Sequence, residues 1–144
     1  MLVGAPILGV VFAQQAVNVT KVNGSAPIAA ICNDESKISS VNINLTGATG
    51  NTEIVALSGS TVIYVCGFSL IVGGADGTQW ITGTGSACGT GETDKATYNF
   101  AAAGDGVVAG NAGYMIFKTA AGGALCVERT NSVTLSGIVS YVQQ

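Results

Sequence analysis

The sequence predicts an all-β domain: a two-sheet sandwich, jelly-roll-like, with an extended amino-terminal arm. Three observations lead there. Short runs dense in β-branched and aromatic residues recur along the chain, separated by Gly, Asn, Asp and Ser clusters, which is the spacing of sandwiches and barrels. Glycine is frequent, 21 of 144 residues, and proline scarce, as suits many tight turns. No window of eleven or more residues holds a clean helical period; Asp94–Ala102 comes nearest to one.

The elements follow in order. The segment 1–29 reads as an apolar arm and linker, and 30–144 as the sandwich. The arm opens MLVGAPILGVVFA, with Leu2, Val3, Ile7, Leu8, Val10, Val11 and Phe12 as its apolar contacts. It is too short for a bilayer span, which needs about 20 apolar residues. It resembles a secretory leader only in part, because no Lys or Arg precedes the apolar run. Val17 and Val19 then alternate with Asn18 and Thr20, a pattern able to add a strand to another subunit's sheet edge. A first strand of the chain's own domain is the plainer reading. Gly24 and Pro27 mark the linker.

Within the domain, Lys37–Leu45 alternates apolar and polar residues and reads as a strand. Strands are expected over Thr52–Leu57 and over Thr61–Val72, the longest and most apolar run. Thr78–Thr82 carries the one tryptophan, Trp80, and Gly83–Thr93 reads as a loop. Further short runs are Tyr98–Ala102, Gly106–Ala109, Tyr114–Thr119, Leu125–Arg129 and Ser132–Val142.

Charge is the outlying property. Charged residues are 9% of the chain, against about 25% in ordinary globular domains. Lys21, Lys37, Lys95, Lys118 and Arg129 stand singly. Neither the basic patch that a nucleic-acid backbone needs nor a polybasic membrane segment is present, so neither partner is expected. Surfaces of free soluble proteins rely on interspersed charge. A surface this poor in it is expected to be covered by other protein, in a homo-oligomer or a larger assembly.

Cys32, Cys66, Cys88 and Cys126 are an even set in a small β domain, which suggests two disulfides. Three pairings are open; the expected one joins Cys66 to Cys88 and Cys32 to Cys126. Buried free thiols at Cys66 and Cys126 are the alternative. Zinc needs closely spaced ligand pairs, which these positions lack.

The chain has no histidine, which removes the commonest general base and the Ser-His-Asp arrangement. Its eight carboxylates show no glycosidase-like pair; Glu92 and Asp94 share at most one strand face in a solvated loop. Calcium would draw on Asp34 and Glu35 or on the Glu92–Asp94 loop, without the alternating acids of a calcium loop. No catalytic, cofactor or metal site is therefore expected. Sequons stand at Asn18, Asn23 and Asn44. Trp80, Tyr98 and Tyr114 would serve a sugar platform if exposed, but core packing is the expected use.

One further pattern runs through the domain. Ile63-Tyr64-Val65-Cys66-Gly67-Phe68 is followed by Gly83-Thr84-Gly85 with Cys88-Gly89-Thr90-Gly91. Phe117-Lys118-Thr119-Ala120-Ala121-Gly122, then Ala124-Leu125-Cys126-Val127 and a Gly137–Gln143 ending, complete it. The order resembles small virion structural proteins of tailed bacteriophages over about Cys32–Gln144. The resemblance implies a capsid decoration, or cement, protein on the capsid exterior. Its partner would be the major capsid protein, its state a trimer, and its arm would reach over a neighbour. It carries over no catalytic residue. A receptor- or carbohydrate-binding module, virion-borne or extracellular, and a filament subunit using strand donation are the competing expectations.

Overall fold

The computed structural model describes residues 31–110 and 113–144, and the arm and linker at 1–29 lie outside them. Two antiparallel sheets pack face to face as a β-sandwich. The nine strands among the described residues are β1 (Ser39–Leu45), β2 (Gly50–Val55), β3 (Ile63–Val72), β4 (Asp76–Thr84), β5 (Thr90–Phe100), β6 (Gly106–Gly110), β7 (Phe117–Lys118), β8 (Ala124–Arg129) and β9 (Leu135–Gln143). One sheet, called A, runs β1-β9-β3-β6, with the short β7 also on β3. The other, sheet B, runs β2-β8-β4-β5.

Alternation explains which face each strand buries. In β1, Val41, Ile43 and Leu45 turn to the core while Asn42 and Asn44 stay in water. In β4, Thr78 and Trp80 turn inward and are fully buried. β3 needs a correction to its period. Ile63 and Val65 point inward, and so do Phe68, Leu70 and Val72, which are out of phase with them. A bulge between Val65 and Gly67 absorbs Cys66 as an unpaired extra residue and restores the phase. Phe68 then meets Trp80 edge to face, at 5.3 Å and 60°, across the two sheets. Gly137 marks the closest approach of β9 to β3, because a Cβ there would land on the Ser69 carbonyl oxygen.

Most expected strands shift by about two residues at an end, Tyr114–Thr119 shrinks to Phe117–Lys118, and the largest difference is at β5. Gly83–Thr93, read as a loop, holds a 3-10 turn at Ser86–Cys88 and the first residues of β5. Asp94–Ala102, the least unlike a helix, supplies most of the rest of that strand. Gly91–Lys95 has no apolar residue to announce a strand, since β5 is a sheet edge with that half exposed.

Both disulfides form, with a different pairing from the expected one. Cys32 joins Cys66 and Cys88 joins Cys126, at Cα separations of 5.6 and 6.3 Å. The reason is the layering. Cys66 lies on the outer side of sheet A, while Cys88 and Cys126 lie on the outer side of sheet B. The core, about 10 Å thick, stands between them, and a disulfide reaches only about 4.4–6.8 Å between Cα atoms. Cys88–Cys126 holds the Ser86–Cys88 turn over sheet B and closes a second small core with Ile81 and Ala124.

Arg129, read as an isolated cation, is buried. Its guanidinium donates to the Val133 and Ala48 carbonyls, both at 2.6 Å, tying two loops at one end of the sandwich. Asp76, also buried, accepts from Thr78 Oγ1 at 2.9 Å, Thr130 Oγ1 at 3.2 Å and the Asn131 amide at 2.8 Å. These partners offset the cost of burying two charges that make no direct ion pair.

Three outcomes test this description. Cleavage with trypsin and on the amino side of aspartates, without reductant, should link peptide 22–33 to 38–75, and 76–93 to 119–129; links joining Cys66 to Cys88 would refute the layering. The Cys88→Ala/Cys126→Ala variant should lose about 3–4 kcal/mol by denaturant titration, the closure entropy of such a loop. Gly137→Ala should cost about 1–3 kcal/mol from overpacking, seen as a lower urea midpoint.

Candidate interaction surface

The two sheets present unlike faces to solvent. Register places Asn42, Ile138, Ser69 and Val108 side by side across the outer face of sheet A. The next row is Asn44, Ser136, Ile71 and Gly106, and the one on the other side Ser40, Ser140, Gly67 and Gly110. None of the twelve is charged. Val108 is 84% exposed, Ile71 57% and Ile138 40%, which makes them three of the five large exposed hydrophobics among the described residues. Short side chains around them leave the face flat and open to close approach.

Sheet B's outer face is acidic. One row is Asn51, Glu128, Gln79 and Thr97; the next is Glu53, Cys126, Ile81 and Asp94. Glu92 lies beside them and accepts from Asn51 Nδ2 at 2.9 Å. Among the strand residues of sheet A only Lys118 is charged, whereas sheet B carries Glu53, Asp76, Glu92, Asp94, Lys95, Glu128 and Arg129. Among strand residues, charge is thus concentrated in sheet B.

The sheet edges follow the same division. On sheet B, Glu53 lies in edge strand β2, and Glu92, Asp94 and Lys95 lie in edge strand β5. Charges on an edge discourage pairing with another chain. On sheet A the edges β1 and β6 have none, and β6, Gly-Val-Val-Ala-Gly, is also apolar.

The described chain enters at this face. Cys32 is tied to the bulge residue Cys66, between the part of β3 that pairs with β6 at Gly110 and the part that pairs with β7 at Phe117. Gly113, at φ +87°, leaves room for the Asn33 amide group, which a Cβ there would strike. The described chain therefore begins beside the β6 edge.

The other expected site residues fall as follows. Leu2, Val3, Ile7, Leu8, Val10, Val11, Phe12, Val17 and Val19 lie outside the described residues. Trp80 is fully buried and Tyr98 half-buried, packed on Phe68 and Phe100, so neither offers an open sugar platform. Tyr114 is 40% exposed, contrary to a core role. Glu92 and Asp94 lie on a strand rather than in a loop. Asn44 is exposed on β1. Among the described residues no three His, Cys, Asp or Glu side chains are grouped to hold a metal. The outer face of sheet A went unread in the sequence, because Val108 and Ile71 differ from core residues only through strand register.

No protein-family model, curated protein or solved structure matches the chain.

Two groups titrate away from their ordinary ranges. Asp34 sits low, chiefly because Ser36 donates to its carboxylate, with Lys37 adding an ion pair at 3.5 Å. Burial pushes the Tyr98 phenol up. A raised acid binds its proton more tightly when folded, so its contribution is complete below the unfolded tyrosine range near pH 10. It fades as pH rises through the folded value. Tyr98→Phe should flatten the fall of the melting temperature between about pH 9 and 12, measured by circular dichroism; an unchanged slope would refute the assignment.

Proposed function

We propose that the chain is a structural protein of a virion exterior, a decoration protein of cement type that joins major capsid subunits. The observation that carries this reading is the three uncharged rows on the outer face of sheet A, backed by an acidic face. A flat surface of Ser, Asn and Gly around Val108, Ile71 and Ile138 suits a permanent protein contact, while the acids of sheet B suit the side left in water. The strand order lends support. With the two-residue β7 set aside, the sheets run 1-9-3-6 and 2-8-4-5, two four-stranded layers in the arrangement of a jelly roll. Jelly rolls recur in viral capsid and lectin domains. Two disulfides favour a place outside a reducing cytosol.

Size argues that sheet A does not act alone. Four strands spaced about 4.8 Å apart, over three rows of residues, make a face of roughly 300–400 Å². A stable interface takes about 800 Å² per partner. The apolar segment Leu2–Phe12 of the expected arm would supply the missing area in this reading, and a trimer would add contacts between copies. The lectin alternative is weakened by the burial of Trp80.

The reading is tested on virions of the phage that encodes the chain. Gradient-purified particles should contain it in fixed ratio to the major capsid protein. Particles stripped of it should rupture at a lower temperature, and adding it back should restore them. The Val108→Asp/Ile138→Asp variant, folded by circular dichroism, should bind stripped particles at least about tenfold more weakly, a loss of 1.4 kcal/mol or more. Absence from particles, or equal binding by the variant, would overturn it.

A further inference from the structure

The outward edge of β6 is complementary to itself. β6 pairs with β3 on one side, and no described strand pairs with the other. Its hydrogen-bonding phase follows from its neighbours. The Val72 amide donates to the Asp105 carbonyl at 3.0 Å, and the Leu70 carbonyl points at Gly106, where a Cβ would strike it. Phe68, Leu70 and Val72 therefore turn their main-chain groups toward β6. Opposite them, the main-chain groups of Ala109 and Val107 are used inside the sheet. Those of Gly106, Val108 and Gly110 point out from the edge, because antiparallel strands alternate.

A second β6 laid antiparallel about Val108 matches this pattern. Val108 stands opposite Val108 of the second copy, Gly106 opposite Gly110, and Val107 opposite Ala109. Every outward-pointing residue then falls in a hydrogen-bonded pair, with two bonds in each. The side chains agree with the bonds. Val108, 84% exposed, would pack on its own counterpart on the outer face. On the core side Val107 would meet Ala109, a larger residue against a smaller one. The strand has no charge and no proline to oppose the approach. The other edges fit less well. Charges stand in β2 and β5, and the outer-face row of β1 is Ser40, Asn42 and Asn44, so pairing there would bury amides instead of an aliphatic side chain.

We propose that two copies join edge to edge through β6 about a two-fold axis, so that their A sheets continue as one sheet. Main-chain hydrogen bonds supply the attachment, and burial of the two Val108 side chains supplies the apolar gain. The pairing does not rest on the virion reading. Where that reading holds, the joined outer faces come to roughly 600–800 Å², near the roughly 800 Å² per partner of a stable interface. The contact between copies is then a two-fold in place of a trimer.

The test follows the full-length wild type, Val108→Lys and Ile138→Lys, each folded by circular dichroism, by sedimentation equilibrium from micromolar to hundreds of micromolar and by residue-resolved hydrogen exchange. The wild type should pass from monomer to dimer. In the dimer the amides of Gly106, Val108 and Gly110 should exchange at least about tenfold more slowly than in the monomer, while those of Val107 and Ala109 are protected in both. Val108→Lys sets like charges opposite each other at the axis and should stay monomeric, with its outward amides fast. Ile138→Lys, on the same face but away from the edge, should still dimerise. A wild type that stays monomeric, a trimer or an open polymer would overturn the proposal. So would a dimer that leaves the three outward amides fast, one that survives Val108→Lys, or one that Ile138→Lys also abolishes, which would mean that the faces pack. A monomer whose outward amides are protected at every concentration would overturn it too, by showing that the chain closes its own edge. A monomeric protein found in particles would refute the pairing alone, and a dimer absent from them the virion reading alone.

Discussion

One extra residue in β3 sets the conditions for the rest of this fold. Cys66 stands unpaired between Val65 and Gly67. Because side chains alternate with period two, a strand without that insertion would turn Phe68, Leu70 and Val72 to solvent while keeping Ile63 and Val65 inside. The bulge lets a ten-residue strand bury five large side chains on one face. It also puts Phe68 against Trp80, the contact that seats sheet A on sheet B. The same residue, turned outward, takes the disulfide from Cys32. Core phase and chain anchorage are thus fixed at one position.

The β class and most strands were legible because half-buried strands write their period into the sequence, as Val41, Ile43 and Leu45 do. β5 was hidden, since an exposed edge needs no apolar partner and Gly91–Lys95 has none. The disulfide pairing was hidden for another reason. Cys66 and Cys88 flank adjacent strands in sequence, yet β3 and β4 belong to different sheets, and nothing local says that their outer faces are on opposite sides of the molecule. Arg129 and Asp76 could not be told from surface charges, because their partners are backbone groups and hydroxyls, several of them in loops far away in sequence. The surface face was least legible of all. Val108 and Ile138 become neighbours across Ser69 only once three strands from distant parts of the chain are in register.

Low total charge and its segregation belong together. Of the charges carried by strands, those in water other than Lys118 lie where they guard against unwanted contacts: on the outer face and both edges of sheet B. The three rows around Ser69 on sheet A are left with hydroxyls, amides, glycines and three aliphatic side chains, groups cheap to desolvate when matched. Buried Arg129 and Asp76 stand apart from this division. They fasten the loops at one end of the sandwich, Ala48 to Val133 and Ala75 to Asn131, so that β2 and β4 keep their place beside β8.

The Cys32–Cys66 link also sets how the domain carries force. A pull on any residue upstream of Cys32 would, without the disulfide, enter at β1, an edge strand that can be peeled away one hydrogen bond at a time. The covalent bridge diverts that load into β3, which has β9 on one side and β6 on the other. To yield there, the sheet must shear several strand bonds at once instead of unzipping. The amino-terminal tether is thereby fastened to the middle of the sheet rather than to its hem.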